Sequence, residues 1–168
     1  PDTLEPTLEQ VRELLEVEVL RVVTLAPELP GALEAGLAFA DAGVRLSLGH
    51  SAADYETARA FVRAVRAAGG VIGFTHLYNA MAPLAGREPG LLGLALADPE
   101  SYAELIFDTH HVHPGSLLAA LAAKPERLLF VTDAMRAAGQ ASGASELGGQ
   151  RVSISRGRAL LDSGGLAG

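Results

Sequence analysis

Five short runs rich in Val, Leu, Ile and Phe punctuate the chain: Val19–Leu25, Val44–Leu48, Val71–Thr75, Leu105–Phe107 and Leu128–Thr132. Each is too short for a helix and nearly continuously apolar, the pattern of a strand in a parallel sheet. Between them the apolar positions recur at helical spacing. Thr7-x-x-Gln10 after Pro6 is a capping box, predicting a helix with Leu8, Val11, Leu14 and Leu15 on one face. A second helix is predicted from Pro30 to the stop at Gly43. The third, over 52–68, has Ser51 as its expected cap and Asp54 three residues on. Tyr55, Ala58, Val62 and Val65 form its stripe, Arg59, Arg63 and Arg66 lie away from it, and Gly69-Gly70 end it. A last helix is expected near Pro114, carrying Leu117, Leu118 and Leu121.

Strand–helix alternation argues for an α/β fold with a parallel sheet. A polar residue stands at or just beyond the end of every predicted strand: Glu28, His50, His76, Asp108 and Asp133. Their separations of 22, 26, 32 and 25 residues follow from those positions and describe one βα unit repeated. Functional groups at strand carboxyl ends suit a (β/α)₈ barrel and an open doubly wound sheet alike. Periodicity does not separate the two. Residues 77–101, with Pro83, Gly86, Pro89, Gly90 and Gly93, read as a long functional loop. Residues 147–162 read as a hairpin, Arg151–Ser155 and Ala159–Leu161 about the turn Ser155-Arg156-Gly157-Arg158.

Composition then narrows the function. Of 168 residues 49% are apolar and 20% charged, which excludes a disordered chain. No apolar run approaches the ~18 residues of a membrane span. The formal charge is −7 and no stretch supplies a basic face, so nucleic acid is not an expected partner. With no cysteine, disulfides and thiolate metal sites are excluded. The acidic start, Pro1-Asp2-Thr3-Leu4-Glu5, does not read as a secretory signal, and a cytoplasmic location is expected.

All five histidines lie between positions 50 and 113. A lone strand-end histidine is more commonly a surface or core residue. Two at the ends of adjacent parallel strands, ~4.8 Å apart, can share a metal ion, so His50 and His76 are candidate ligands. A catalytic zinc takes three protein ligands and leaves one position open. Asp133 is a further candidate, as an oxygen ligand, a general base or simply a cap. In Asp108-Thr109-His110-His111-Val112-His113, alternation along an extended chain sends at most one of His110 and His111 into the site. Arg87, in the Gly-flanked turn Gly86-Arg87-Glu88-Pro89-Gly90, suits a phosphate or carboxylate, or else pairs with Glu88.

Taken in order, several segments resemble the N-acetylglucosamine-6-phosphate deacetylases of the amidohydrolase superfamily. They are Val23-Thr24-Leu25-Ala26-Pro27-Glu28, Gly49-His50-Ser51, Thr75-His76-Leu77-Tyr78-Asn79-Ala80-Met81 and Gly86-Arg87-Glu88-Pro89-Gly90. Asp108-Thr109-His110-His111-Val112, Val131-Thr132-Asp133-Ala134 and Leu166-Ala167-Gly168 continue the series. Thr-His-Leu-Tyr-Asn-Ala-Met followed by Gly-Arg-Glu-Pro-Gly is highly specific. The short Gly-His-Ser and Thr-Asp-Ala pieces are not.

The resemblance implies a (β/α)₈ TIM barrel of the metal-dependent hydrolase type. Residues 1–168 would hold about its C-terminal five strands and a hairpin insertion near 147–162, without the upstream barrel half and small β-domain. It further implies that His50 and His76 bind a divalent metal, Zn²⁺ or else Fe²⁺, and that Asp133 is the catalytic acid/base. His111 would contact the substrate near the scissile amide, and Asn79, Ala80 and Arg87 would bind the sugar phosphate. Asp108, Thr109, His110, Leu166, Ala167 and Gly168 would line the same pocket. The implied reaction is hydrolysis of N-acetylglucosamine 6-phosphate to glucosamine 6-phosphate and acetate. The expected partners are that small amino-sugar phosphate and, through exposed sheet edges, another copy or the missing barrel half. The alternatives are an inactive or merely sugar-phosphate-binding half-barrel, and an amidohydrolase for another amide.

Two departures stand out. The family's metal site also uses a glutamate from a motif upstream of these strands. The family pattern Asp-Gly-x-His reads Asp108-Thr109-His110-His111 here.

Overall fold

The computed structural model describes residues 5–140, 142–155 and 158–167. Pro1–Leu4, Arg156 and Gly157 of the expected turn, and the pocket candidate Gly168 lie outside them.

Helix α1 (Leu8–Leu15) opens on the expected capping box: the Thr7 hydroxyl accepts from the Gln10 amide, and Gln10 Oε1 accepts from the Thr7 amide. Of its four apolar residues only Val11 is fully buried, and Leu8 and Leu14 stay about half exposed. Strand β1 (Val22–Leu25) follows, then α2 (Ala32–Asp41), β2 (Arg45–Leu48), α3 (Tyr55–Ala67) and β3 (Ile72–Phe74). Gly31 enters α2 at φ +78°, and a Cβ there would stand 2.5 Å from the Pro6 carbonyl oxygen. The cap of α3 is Asp54, not Ser51: its carboxylate accepts from the Thr57 amide at 2.7 Å. The Ser51 hydroxyl, four residues before the helix, donates to Glu28 at 2.7 Å and accepts from the Ala53 amide at 3.1 Å.

The stretch expected to be a long loop contains a whole helix, α4 (Gly90–Ala97). Its residues Gly-Leu-Leu-Gly-Leu-Ala-Leu-Ala are apolar all round, so no amphipathic period marked it, and glycines at its first position and inside it mask helix propensity. Strand β4 (Tyr102–Ile106), α5 (Pro114–Ala123) and β5 (Leu128–Val131) complete the series.

The five strands pair in parallel in sequence order, β1-β2-β3-β4-β5. Without a reversal of order the sheet is singly wound, which removes the doubly wound alternative. Consecutive helices pack against one another in one layer on one face. That face carries Leu46, Leu48, Ile72, Phe74, Ala103 and Leu105, all 2% exposed or less, locked against Phe39, Val65 and Leu91.

The other face carries the alternate positions of the strands, from half-exposed Val22 and Leu129 to buried Ser47. Its positions, read off the register, are Val22 and Thr24, Arg45 and Ser47, Gly73, Tyr102 and Glu104, and Leu129. The strands are therefore less uniformly apolar than their sequences suggested, because small and polar residues occupy alternate positions. A concavity of about 640 Å³ lies here. Toward its carboxyl end three hydroxyls chain across strands: Thr24 Oγ1 and Thr75 Oγ1 lie 3.1 Å apart, and Thr75 donates to Ser47 at 2.7 Å.

The expected hairpin is two strands of a three-stranded antiparallel sheet, β6 (Ser142–Leu147), β7 (Gln150–Ser155) and β8 (Arg158–Leu161). The missed strand, Ser-Gly-Ala-Ser-Glu-Leu, has almost no apolar alternation. It is held by pairing to β7 across the two-residue turn Gly148-Gly149, both at positive φ as a type I′ hairpin turn requires. No helix among the described residues is long and apolar enough to cross a membrane.

Candidate functional site

Each strand delivers its polar residue just past its carboxyl end. His50, His76, Asp108 and Asp133 each stand two residues beyond the last strand residue, and Glu28 three. His50, His76 and Asp133 sit at φ +48°, +31° and +48°. Among the described residues the other non-glycine positions with positive φ are Tyr78, Ala80 and Thr109, in the same set of loops. Left-handed backbone costs a side-chain-bearing residue ~1–3 kcal/mol and persists where its surroundings over-determine it. Here it turns the chain at the residue two past the end of β2, β3 and β5.

The two candidate ligands meet. Nε2 of His50 and Nε2 of His76 are 2.9 Å apart, with the rings edge to face. At that distance one nitrogen donates a proton to the other, or both lone pairs converge on a cation; two protonated nitrogens would repel. Burial, the neighbouring His76 and, opposing them, Asp133 act on His50, and its pKa falls below the ordinary histidine value. His76 is buried, and its Nδ1 has no partner among the described residues.

The pair fits a divalent ion in donor type and convergence. Two imidazoles on a tetrahedral zinc stand about 3.3 Å apart, so the rings need open by only about 0.4 Å. They make two ligands, not a complete set. No group of three or more His, Cys, Asp or Glu poised for a metal occurs among the described residues, and Asp133 is exposed.

The loops holding the pair are clamped by carboxylates whose roles the sequence did not disclose. Glu28 accepts from the Ser51 hydroxyl and the Ala52 amide, both at 2.7 Å, pinning the turn just after His50. Ser51 in turn bridges to the loop after His76, its amide donating to the Ala80 carbonyl. Glu88 accepts from Tyr55 N at 2.8 Å and Gly90 N at 2.9 Å, tying the first residues of α3 and α4 together. Spacing could not show this, since the Ser51 hydroxyl and the Ala52 amide lie more than twenty residues from Glu28, and the Tyr55 amide lies 33 residues from Glu88.

Arg87 therefore does not share its neighbour's carboxylate. It is exposed on its turn, without a charged or hydrogen-bonding partner among the described residues. The Asn79 amide nitrogen donates to the His76 and Leu77 carbonyls at 3.3 and 3.1 Å, shaping its own loop. Ala80 contributes its carbonyl to Ser51, as described.

A second cluster lines a cleft of about 400 Å³ between the ends of β4 and β5 and the small sheet. Asp108, His110, His111 and Leu166 face it with Thr132, Met135 and Arg158. Both His110 and His111 reach the cleft, against the expectation of at most one. The chain at 108–111 is a tight turn with Thr109 at φ +66°, so strand alternation does not apply. His113 is structural: its Nδ1 caps α5 by accepting from the Gly115 amide. Ala167 is buried, and its amide donates to Ala159, fastening the chain end to β8.

The arrangement defines a singly wound α/β protein whose strained and convergent groups gather at the carboxyl ends of parallel strands. No protein-family model matches the chain. It is 44% identical over 149 residues to the N-acetylgalactosamine-6-phosphate deacetylase of Escherichia coli O157:H7, covering 89% of this chain and 38% of that protein. It is 43% identical over 147 residues to the N-acetylglucosamine-6-phosphate deacetylase of Vibrio furnissii, covering 87% and 35%. The crystal structure of the N-acetylglucosamine-6-phosphate deacetylase from Pasteurella multocida superposes with a TM-score of 0.89 at 32% identity, over 98% of this chain and 42% of that one. The chain is homologous to part of the N-acetylated amino-sugar-phosphate deacetylases, and spans about two fifths of the length of these relatives.

Proposed function

We propose that the chain is part of a metal-dependent deacetylase that hydrolyses the N-acetyl amide of N-acetylglucosamine 6-phosphate, releasing acetate and glucosamine 6-phosphate. The observation that carries this is the convergence of His50 and His76 at 2.9 Å beyond adjacent strands, in a chain homologous to such deacetylases. The sequential strand order and one-sided helices support placing these strands as five of a (β/α)₈ barrel. Small and polar residues such as Thr24, Ser47, Gly73 and Glu104 would then face the barrel interior. Val22, Leu129 and Phe130, each about half exposed, support association of this face and its edges with further barrel strands or another copy.

His50 and His76 would hold the metal, zinc by donor type with Fe²⁺ as the other choice, and the resemblance assigns a further ligand to an upstream glutamate. A divalent ion there supplies Lewis-acid polarisation and water of lowered pKa. Asp133, close enough for its charge to act on His50, takes the proton of the attacking water at its carboxylate. It then delivers that proton to the amide nitrogen as the C–N bond breaks. His111 faces the acetyl carbonyl, and the Asn79–Ala80 loop, Arg87, Thr109, His110, Leu166 and Ala167 line the sugar-phosphate path. Anchoring the phosphate at Arg87 would orient an amide several bonds away.

The test is acetate release with metal content, on N-acetylglucosamine 6-phosphate, its galactosamine epimer and the unphosphorylated sugar. The expected result is metal-dependent turnover of a 6-phosphate and a large loss without phosphate. Metal binding without turnover on either epimer would replace the deacetylase reading with a binding role.

A further inference from the structure

We propose that Asp108 is a positioning residue for His111, holding the imidazole by Nδ1 so that Nε2 is the nitrogen presented to the cleft, and is not itself a sugar contact. Asp108 Oδ2 lies 2.6 Å from His111 Nδ1. Oδ1 accepts from the amides of His110 and His111, each at 2.8 Å. Three donors from its own turn thus converge on one carboxylate. These bonds hold its pKa down at about 2 against the opposing effect of burial. An ionised carboxylate can only accept, so the proton between Oδ2 and the ring belongs to Nδ1.

The ring is nearly immobilised, its side chain only 11% exposed. With Nδ1 taken, Nε2 is the ring nitrogen without a hydrogen-bond partner among the described residues, and His111 lines the cleft. His110 provides the contrast: it lines the same cleft but is exposed, and no side-chain bond fixes its ring.

Thr109 shows how firmly this turn is determined. A β-branched residue sits at φ +66°, where the related pattern has glycine. The conformation survives the loss of glycine because both amides that follow Thr109 are tied to Asp108 Oδ1.

The consequence for chemistry rests on the deacetylase reading. An imidazolium held this way donates Nε2–H to the amide oxygen as negative charge builds there, and the neutral ring keeps Nε2 as an acceptor. In both states the proton facing Asp108 stays put and only the cleft-facing one changes. A carboxylate–imidazole pair of this form fixes the tautomer and orientation of the ring.

The experiment is long-range ¹H–¹⁵N NMR of the ¹⁵N-histidine-labelled chain above the imidazole titration range, with His111→Gln assigning the signal. The expected result is the Nδ1–H tautomer for His111 and its reversal to Nε2–H in Asp108→Asn. The Asn oxygen can keep both backbone amides while its NH₂ donates to Nδ1. An Nε2–H tautomer in the unsubstituted chain overturns the proposal even if the variant fails to fold. So does an unchanged tautomer in a folded Asp108→Asn. In the acetate-release assay, Asp108→Asn should lower kcat on the order of 10²-fold with KM nearly unchanged. A raised KM at constant kcat would return Asp108 to the substrate contacts. Absence of turnover in the unsubstituted protein, with the Nδ1–H tautomer in place, would remove the deacetylase reading and leave the positioning of His111 standing.

Discussion

The two ends of the parallel sheet are built to opposite rules. At the amino end, buried Lys124 donates to the Asp98 carbonyl at 2.6 Å and to Ser101 Oγ at 3.1 Å. Arg66 bridges Asp98 at 2.7 Å and Glu100 at 3.1 Å, and the Arg127 guanidinium lies 4.8 Å from the centre of the Tyr102 ring. Every one of these groups has a partner, and none of these residues has positive φ. At the carboxyl end His76 Nδ1 is buried without a described partner, two imidazoles face each other, and the positive-φ side chains collect. Polar groups that satisfy one another stabilise. Groups held apart from such partners are available to a ligand, and the fold tolerates their cost because the other end is complete.

The largest effect should come from the carboxyl end. Asp133→Asn keeps the shape but removes the proposed proton acceptor. It is expected to lower turnover by on the order of 10²–10⁴-fold while leaving substrate affinity nearly intact. Steady-state kinetics decide this, and near-normal turnover would reject Asp133 as acid/base.

Next comes the amino end. Lys124→Met keeps most of the buried stem and leaves the Asp98 carbonyl and Ser101 hydroxyl without their shared donor. The expected cost is about 1–3 kcal/mol of stability, seen as a lower urea midpoint at constant slope, with kcat unchanged. Lost turnover at full stability would erase the division between the two ends.

The smallest effect sharpens the claim that strain is stored at the carboxyl end. Thr109→Gly relieves the left-handed backbone but adds unfolded-chain freedom, for a net gain of about 0.5–1 kcal/mol. Thermal unfolding reads it. A lower midpoint would mean that the Thr109 side chain makes a contribution larger than its backbone cost.

Much of this was legible along the chain. Short apolar runs of β-branched and aromatic residues mark parallel strands wherever one face is packed; four strands fall inside those runs, and β4 begins three residues before its run, because Tyr102 and Glu104 occupy the alternate face. The Thr7 box and the stripe of Tyr55, Ala58, Val62 and Val65 mark helices because capping and amphipathicity are local properties. Helix α4 and strand β6 escaped for complementary reasons. One is apolar all round and the other hardly apolar, so neither shows a period.

Asp54 rather than Ser51 caps α3 because the helix begins only at Tyr55; Ser51 stands four residues earlier, where its hydroxyl donates to Glu28 and accepts from the Ala53 amide. The residue types that carry the chemistry, and their place after each strand, are local in sequence and survive any detail of folding. By itself the sequence determined the strand–helix order and set His50, His76, Asp108 and Asp133 at strand ends. Only the tertiary structure decided that the sheet is singly wound, that Glu28 and Glu88 clamp the loops, and that Asp108 holds His111 while Arg87 stands alone. Those outcomes depend on backbone dihedrals and on amides brought together from distant positions, and no spacing along the chain encodes them.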